Sequence, residues 1–269
     1  MTKAFAAFLF VVLSFSCSDH GHSEKKFLIR QTTIRANTYG YRVYVPENRE
    51  PNRKLPVMLY LHGSGGRGND NQSQLSGLSE IIDEHTERFS FIVVAPQCRD
   101  GAFWAGEMNE QAFKALDETI GEFGGDVSRL YLSGFSMGGN GTWQIGLVHP
   151  GKFAALVPIA GLVAPVGELS TEQKAALAPR LLAAATSEDP YRSFAEGIGQ
   201  TPVWIFHGSN DEAVPVTESR KITEALKNVG NASVNYTEYE NAGHLIVGKA
   251  LGEPKLFEWL SKQQLVSAK

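Results

Sequence analysis

Apolar residues cluster in short, nearly continuous runs that alternate with longer amphipathic stretches. The runs are rich in Val, Leu, Ile and aromatic residues and lie at residues 55–61, 90–95, 129–134, 153–159, 202–207 and 233–239. Such runs are typical of strands buried on both faces of a parallel sheet. Two earlier runs, residues 27–34 and 39–46, are separated by Asn37-Thr38 and predict a hairpin.

Helical patterns occupy the stretches between the predicted strands. Within residues 110–123 the apolar positions recur at helical spacing, and the pattern stops at Gly124-Gly125. A second apolar face begins at Ile222 and stops at Gly230. Repeated strand–helix–strand order predicts right-handed crossovers and an α/β fold, with a mostly parallel central sheet and helices on both faces. Since no repeat or linker indicates a second domain, we expect residues 27–269 to form one.

The N-terminus has the pattern of an export signal. Lys3 precedes an apolar run, residues 4–15, that is too short to span a bilayer. Ser16-Cys17-Ser18 follows, which resembles a bacterial lipoprotein signal. We therefore expect residues 1–17 to be a signal peptide and residues 18–26 a flexible tether. The protein is then exported to the periplasm, cell surface or medium, and lipidation of Cys17 would anchor it to a membrane.

Composition excludes several classes of function. The chain has 25 Lys and Arg residues and 29 Asp and Glu residues, so its formal net charge is −4. It therefore has no excess of basic residues to bind nucleic acid. Cys17 and Cys98 cannot supply a disulfide framework or a zinc cluster. We expect neither a nucleic-acid partner nor a structural metal, and nothing indicates an obligate protein partner.

The motif Gly134-Phe135-Ser136-Met137-Gly138 carries the clearest chemical signal. It follows a predicted strand and precedes a helical stretch, which is the context of a nucleophile elbow. There a serine hydroxyl is exposed on a sharp turn, and the N–H of Met137 can donate to a developing oxyanion. The alternative is a simple glycine-rich loop.

A serine nucleophile needs a base and an acid. Of seven histidines, His244 follows the last predicted strand and a tight-turn sequence, whereas His62 and His207 could line the site or only bind a loop. Asp211 lies just past a buried strand, and the order Ser136, Asp211, His244 is that of α/β-hydrolases. Glu212 is the rival acid, and Asp211 as a helix cap is the structural alternative.

A second oxyanion donor is expected from His62-Gly63-Ser64-Gly65-Gly66, which follows the strand at residues 55–61. We assign it to the backbone N–H of Ser64, with Gly65 as the alternative. A phosphate-binding loop would need a lysine and a hydroxyl that are absent here. The charges of residues 67–71 either bind substrate or fasten the loop.

Together these motifs resemble secreted α/β-hydrolase serine esterases of the phospholipase/carboxylesterase and polyhydroxybutyrate-depolymerase-like group, which includes feruloyl and acetyl-xylan esterases. The resemblance covers most of residues 39–260 and rests on residues 62–71, 95–98 with Trp104, 134–143, and 207–215 with Gly243-His244. It implies that Ser136 is the nucleophile, Asp211 the acid, His244 the base and Trp104 a wall of the substrate pocket. Trp104 as a core aromatic is the alternative. Where family members often carry a Trp after the catalytic His, this chain has Leu245-Ile246-Val247.

Residues 162–200 form an insertion that is too long for a plain loop. Residues 174–185 have helical composition, and residues 186–194 carry turn residues with Tyr191 and Phe194. Because ligands bind beyond the carboxyl ends of parallel strands, we expect this insertion to cap the site and select the ester. A surface helical connection packed away from Ser136 is the alternative.

The sequence thus predicts an exported serine esterase that forms an acyl-enzyme without metal or cofactor. Its expected partner is a small-molecule or oligosaccharide ester, such as an ester of a plant or algal polysaccharide. One alternative is a serine peptidase of the same fold. Another is a non-catalytic carbohydrate-binding protein that retains the hydrolase fold, which would be expected to have a broken triad.

Overall fold

A single eight-stranded sheet forms the centre of the computed structural model, which describes residues 26–47, 49–50, 53–163 and 177–265. The predicted signal peptide and nearly all of the tether lie outside the described residues. The strands are β1 (Phe27–Ile34), β2 (Asn37–Tyr44), β3 (Val57–Leu61), β4 (Ile92–Pro96), β5 (Leu130–Phe135), β6 (Ala155–Ile159), β7 (Val203–Gly208) and β8 (Val234–Tyr239). Their order across the sheet is β1-β2-β4-β3-β5-β6-β7-β8. Only β2 runs antiparallel to its neighbours, β1 and β4, and the other described pairs are parallel.

Helices cover both faces of this sheet. They are α1 (Leu78–Glu84), α2 (Glu107–Phe123), α3 (Met137–Val148), α4 (Pro179–Ala185), α5 (Pro190–Ile198), α6 (Thr217–Asn228), α7 (Val247–Leu251) and α8 (Pro254–Ser261). One apolar core lies between the sheet and α2–α6, and a second lies between the sheet and α1, α7 and α8. Successive residues of β3 enter opposite cores because side chains alternate along a strand. This is the predicted α/β-hydrolase fold. Within the described part of the chain, no helix is long and apolar enough to cross a membrane.

The predicted hairpin is present, but its turn lies two residues earlier than expected. Ile34 pairs with Asn37, so Arg35 and Ala36 form the loop, and Arg35 has φ of 52°. Asn37 belongs to β2, where its side-chain amide donates to Glu107 at 2.7 Å. This contact with α2 outweighs the turn preference of Asn. The last strand also departs from expectation: β8 is half-buried throughout because it forms an edge of the sheet.

The described part of the insertion is helical. The turn residues within 186–194 lie at residues 186–189, which form a turn and bends, and α5 begins at Pro190 with Asp189 as its N-cap. The Asp189 carboxylate accepts the N–H of Arg192 at 3.0 Å. Phe194 is fully buried in the core, and the Tyr191 hydroxyl binds Glu218 at the start of α6. Residues 164–176 lie outside the described residues, so the cap stays a prediction.

Candidate active site

Ser136 lies on the sharp turn between β5 and α3. Its backbone has φ of 55° and ψ of −114°, a left-handed conformation that is costly for a residue with a side chain. The turn is held from both sides: Ser136 N–H donates to the carbonyl of Ile159 at 2.9 Å, and its own carbonyl accepts the N–H of Asn140 at 3.0 Å. The elbow predicted from the motif is therefore present.

The glycines around Ser136 allow neighbouring backbones to approach. A Cβ on Gly138 would lie 1.8 Å from the carbonyl oxygen of Leu61, at the end of β3. A Cβ on Gly134 would lie 2.3 Å from the carbonyl oxygen of Gly138. Real Cβ atoms do not come this close, so α3 can begin here against β3 and β5 only because both positions lack a side chain.

His244 and Asp211 extend from Ser136 in one hydrogen-bonded line. His244 Nε2 lies 2.8 Å from Ser136 Oγ, and its Nδ1 lies 2.7 Å from Asp211 Oδ2. A carboxylate only accepts, so Nδ1 carries the proton and Nε2 is free to accept the serine hydroxyl hydrogen. The His244 ring also packs on Phe135, with ring centroids 5.0 Å apart. Glu212, the rival acid, is exposed to solvent.

The Asp211 carboxylate is buried and fully engaged. Oδ1 accepts the backbone N–H groups of Ala213 at 2.9 Å and Val214 at 2.8 Å, while Oδ2 faces His244. Burial on its own would raise the pKa of this carboxyl, but the hydrogen bonds from His244 and Val214 outweigh it and hold the pKa below its usual range. Asp211 is therefore an anion at neutral pH.

The loop predicted to complete the oxyanion hole lies against Ser136. Residues Ser64–Gly66 form a 3₁₀ turn, and a Cβ on Gly63 would lie 3.4 Å from the Cβ of Ser136. Among the hydrogen bonds of the described residues, none takes the N–H of Ser64 or of Met137. Both donors are thus free beside the serine, as an oxyanion hole requires.

His62 fixes the orientation of this loop. Its Nε2 accepts the N–H of Cys98 at 2.9 Å, so the proton is on Nδ1, which donates to the carbonyl of Gly63 at 2.6 Å. That carbonyl shares a planar trans peptide with the N–H of Ser64, so holding one sets the direction of the other. Burial lowers the pKa of His62 to about 4, and the ring is neutral. The sequence left open whether His62 lines the site or binds a loop, and in the structure it binds a loop.

Trp104 lies behind the same loop. Its indole N–H donates to the carbonyl of His62 at 3.0 Å, its side chain packs against Gly141, and only 2% of its surface is exposed. This burial contradicts the prediction that Trp104 is a wall of the substrate pocket and matches the alternative, a core aromatic. Its neighbour Phe103 is 63% exposed and lies under the guanidinium of Arg67 at 4.5 Å.

Gln97 fastens the rest of the loop and was missed by sequence reasoning. Its amide nitrogen donates to the carbonyl of Gly66 at 3.1 Å and to Asp70 at 2.7 Å, and its amide oxygen accepts the N–H of Asn71 at 2.7 Å. Asp70 and Asn71 are therefore engaged in holding the loop. The available signal was the position of Gln97 directly after a buried strand.

Two observations bear on alternative chemistry. Cys98 is fully buried, and burial raises the pKa of its thiol to about 11, so it is not a candidate nucleophile. Within the described ranges no cluster of three or more His, Cys, Asp or Glu side chains could hold a metal ion.

Comparison with known proteins places this site in a family. The sequence model of the prolyl oligopeptidase family matches residues 103–263. A bifunctional acetylxylan esterase/xylanase from Neocallimastix patriciarum is 27% identical over 212 residues, which cover 74% of this chain and 26% of that protein. Acetylxylan esterase A from Emericella nidulans is 28% identical over 138 residues, which cover 46% of this chain and 43% of that protein. The chain therefore spans less than half of the length of these relatives.

A solved structure of an esterase has a similar fold. The crystal structure of a thermostable esterase matches with a TM-score of 0.71 and 26% identity, over 90% of this chain and 64% of that one. The predicted resemblance to the α/β-hydrolase esterase group is confirmed. The family model covers more than half of the sequence and includes Ser136, Asp211 and His244, and the chain belongs to the prolyl oligopeptidase family.

Proposed function

We propose that the protein is a serine hydrolase that cleaves carboxylic esters through an acyl-enzyme intermediate. The observation that carries the proposal is the line of hydrogen bonds from Ser136 Oγ through His244 to Asp211, with heavy-atom distances of 2.8 and 2.7 Å. Nucleophile, base and acid lie at hydrogen-bonding distance before any substrate is bound.

In the first half-reaction, His244 Nε2 takes the hydroxyl proton as Ser136 Oγ attacks the ester carbonyl. The carbonyl oxygen becomes an oxyanion that accepts the N–H groups of Met137 and Ser64. Asp211 stabilises the imidazolium through the Nδ1–H bond and does not take the proton. The C–O bond to the alcohol then breaks, and His244 returns the proton to the leaving alkoxide.

In the second half-reaction, water replaces the alcohol. His244 removes a proton from water as the water oxygen attacks the acyl-enzyme, the same two N–H groups bind the oxyanion, and the acid leaves as Ser136 recovers its proton. Every proton is transferred between Ser136, His244, water and substrate, so neither metal nor cofactor is required.

The substrate class proposed is an ester on a polysaccharide-derived molecule. The support is the activity named for two relatives, both acetylxylan esterases, together with the predicted export signal at residues 1–17. We propose further that the mature protein acts outside the cytoplasm, with or without a lipid at Cys17. Peptide cleavage is the alternative suggested by the family name, but an amine is a poorer leaving group than an alcohol.

Hydrolysis of p-nitrophenyl acetate, acetylated xylan, methyl ferulate and peptide p-nitroanilides by the purified protein tests this proposal. The matched controls are Ser136→Ala and Ser76→Ala, because Ser76 is an exposed serine outside the site. We expect ester hydrolysis that Ser136→Ala abolishes and Ser76→Ala leaves unchanged. Hydrolysis of anilides in preference to esters would favour the peptidase, and no reaction with any substrate would favour the non-catalytic alternative.

A further inference from the structure

A second histidine, His207, contacts the acid of the triad from behind. It lies near the end of β7, and none of its side chain is exposed. Its Nε2 lies 3.0 Å from the carbonyl oxygen of Val214 and 3.2 Å from Asp211 Oδ2. Its Nδ1 lies 2.7 Å from the hydroxyl of Ser219 on α6.

These partners determine which nitrogen of His207 carries the proton. The carbonyl of Val214 can only accept, so Nε2 must be the donor. Nδ1 then has a free lone pair and accepts the hydroxyl hydrogen of Ser219. Burial lowers the pKa of His207, so the ring is neutral at the pH where Asp211 is an anion. The Nε2–H thus has two acceptor atoms close by, the carbonyl oxygen of Val214 and Asp211 Oδ2.

This carboxylate oxygen is the one that binds the catalytic base. Asp211 Oδ2 receives Nδ1–H of His244 at 2.7 Å and lies 3.2 Å from His207 Nε2, while Oδ1 receives two backbone N–H groups. A carboxylate has about four lone-pair sites, and four donor atoms surround this one. Two backbone N–H groups bind Oδ1, and two imidazole nitrogens face Oδ2.

We propose that His207 is a positioning residue of this active site: by donating Nε2–H to Oδ2, it holds the Asp211 carboxylate in the plane and direction that His244 requires. The proposal rests on the proposed hydrolase function. His207 does not touch the substrate and acts only through Asp211. Without this donor, Asp211 has one fewer bond fixing its orientation, and His244 is less well held for proton transfer.

The amide substitutions His207→Gln and His207→Asn separate this role from simple packing. The Gln amide nitrogen reaches the position of Nε2 and can donate to Asp211, whereas the shorter Asn amide ends near the position of Nδ1 and can reach only Ser219. Ser219→Ala is the matched control, because it removes the other hydrogen bond of the same ring and leaves Asp211 untouched.

Two rates are measured for each folded variant: steady-state hydrolysis of p-nitrophenyl acetate, and covalent modification of Ser136 by a fluorophosphonate. His207→Asn removes a hydrogen-bond donor to a charged group, the Asp211 carboxylate. We therefore expect this substitution to lower kcat about tenfold or more. We expect KM to change little, the fluorophosphonate rate to fall in parallel, and His207→Gln to retain most of both rates. Ser219→Ala should lower the melting temperature while kcat stays within about twofold of the parent.

The proposal is overturned if His207→Asn keeps the parent kcat and labelling rate, if Gln fails to rescue, or if Ser219→Ala loses as much activity as Asn. Should His207→Asn not fold, His207→Phe replaces it, because Phe fills the volume and has no donor, and the same criteria apply. A parent protein that neither hydrolyses the ester nor reacts with the fluorophosphonate would instead refute the proposed function.

Discussion

Lowering the pH is expected to destabilise the protein through His62, the histidine that holds the loop at residues 62–66. His62 is 3% exposed, and its Nε2 accepts the N–H of Cys98. A protonated ring would place an N–H at that nitrogen, directly facing another N–H donor. The folded protein therefore resists protonation of His62, whereas the unfolded chain does not.

The size of the effect follows from the two pKa values. Burial lowers the pKa of His62 from 6.5 to about 4 in the folded state. Between these values the unfolded chain binds a proton that the folded chain excludes, so the stability present above pH 6.5 is lost as the pH falls towards 4. Each pH unit corresponds to about 1.4 kcal/mol, and the loss attributable to His62 is about 3 kcal/mol.

Urea unfolding followed by circular dichroism at pH 7, 5.5 and 4 measures this loss. The control is His62→Gln, which keeps a polar side chain in the same place but does not titrate. The variant should be less stable than the parent at pH 7, and its free energy of unfolding should fall by about 3 kcal/mol less between pH 7 and 4. Acidic residues and His207 titrate in both proteins and cancel in the difference. Parallel pH dependences would show that His62 is not the group responsible.

Three further outcomes are expected. Asp211→Asn should lower kcat for an ester about 10²–10⁴-fold and Glu212→Gln by less than about twofold; the reverse ranking would reassign the acid. Gly138→Ala should unfold the protein or lower its melting temperature sharply, because its Cβ would lie 1.8 Å from the carbonyl oxygen of Leu61. Gly65→Ala, whose Cβ would meet nothing within 4 Å, should fold normally, and equal effects of the two changes on melting temperature would contradict this account. EDTA should not change the rate of ester hydrolysis, and a loss of activity that added zinc or calcium restores would indicate a metal-dependent step.

The strands of the sheet interior could be predicted because their apolar runs have few other interpretations. The observed β5, Leu130–Phe135, lies within one residue of the predicted run at each end, and β7, Val203–Gly208, does the same. Ser136, Asp211 and His244 could also be assigned from the sequence, because each follows a strand whose end could be recognised. Parallel strands bring such ends together at one edge of the sheet.

Local residue preferences gave wrong or undecided predictions where a tertiary contact, or a second local preference, determined the structure. Asn37 reads as a turn residue but lies in a strand, where it binds Glu107. Trp104 could be exposed or buried with equal support from sequence, since only the fold decides which side of the loop at residues 62–66 it faces. No tertiary contact was needed to predict the start of α5. Asp189-Pro190 is a recognisable N-cap followed by proline at the first helical position, but the polar residues around it favoured a turn.

The side chains that hold the site in place are the ones that sequence reasoning could not assign, and they share a physical character. His62 follows β3, Gln97 follows β4 and His207 lies in β7, each buried and uncharged at the carboxyl edge of the sheet. Each of these side chains binds backbone groups of a loop; Gln97 also donates to a carboxylate, and His207 lies 3.2 Å from one. A neutral side chain can be both donor and acceptor in the interior without the cost of burying a charge, provided that each polar atom has a partner.

The hydrogen-bond partners of these side chains come from segments that are distant in sequence, for example Cys98 for His62 and Ser219 for His207, so no short pattern encodes them. The reactive residues can be recognised because their chemistry restricts the residue types at each position. The residues that orient them are selected by geometry, which only the folded chain provides.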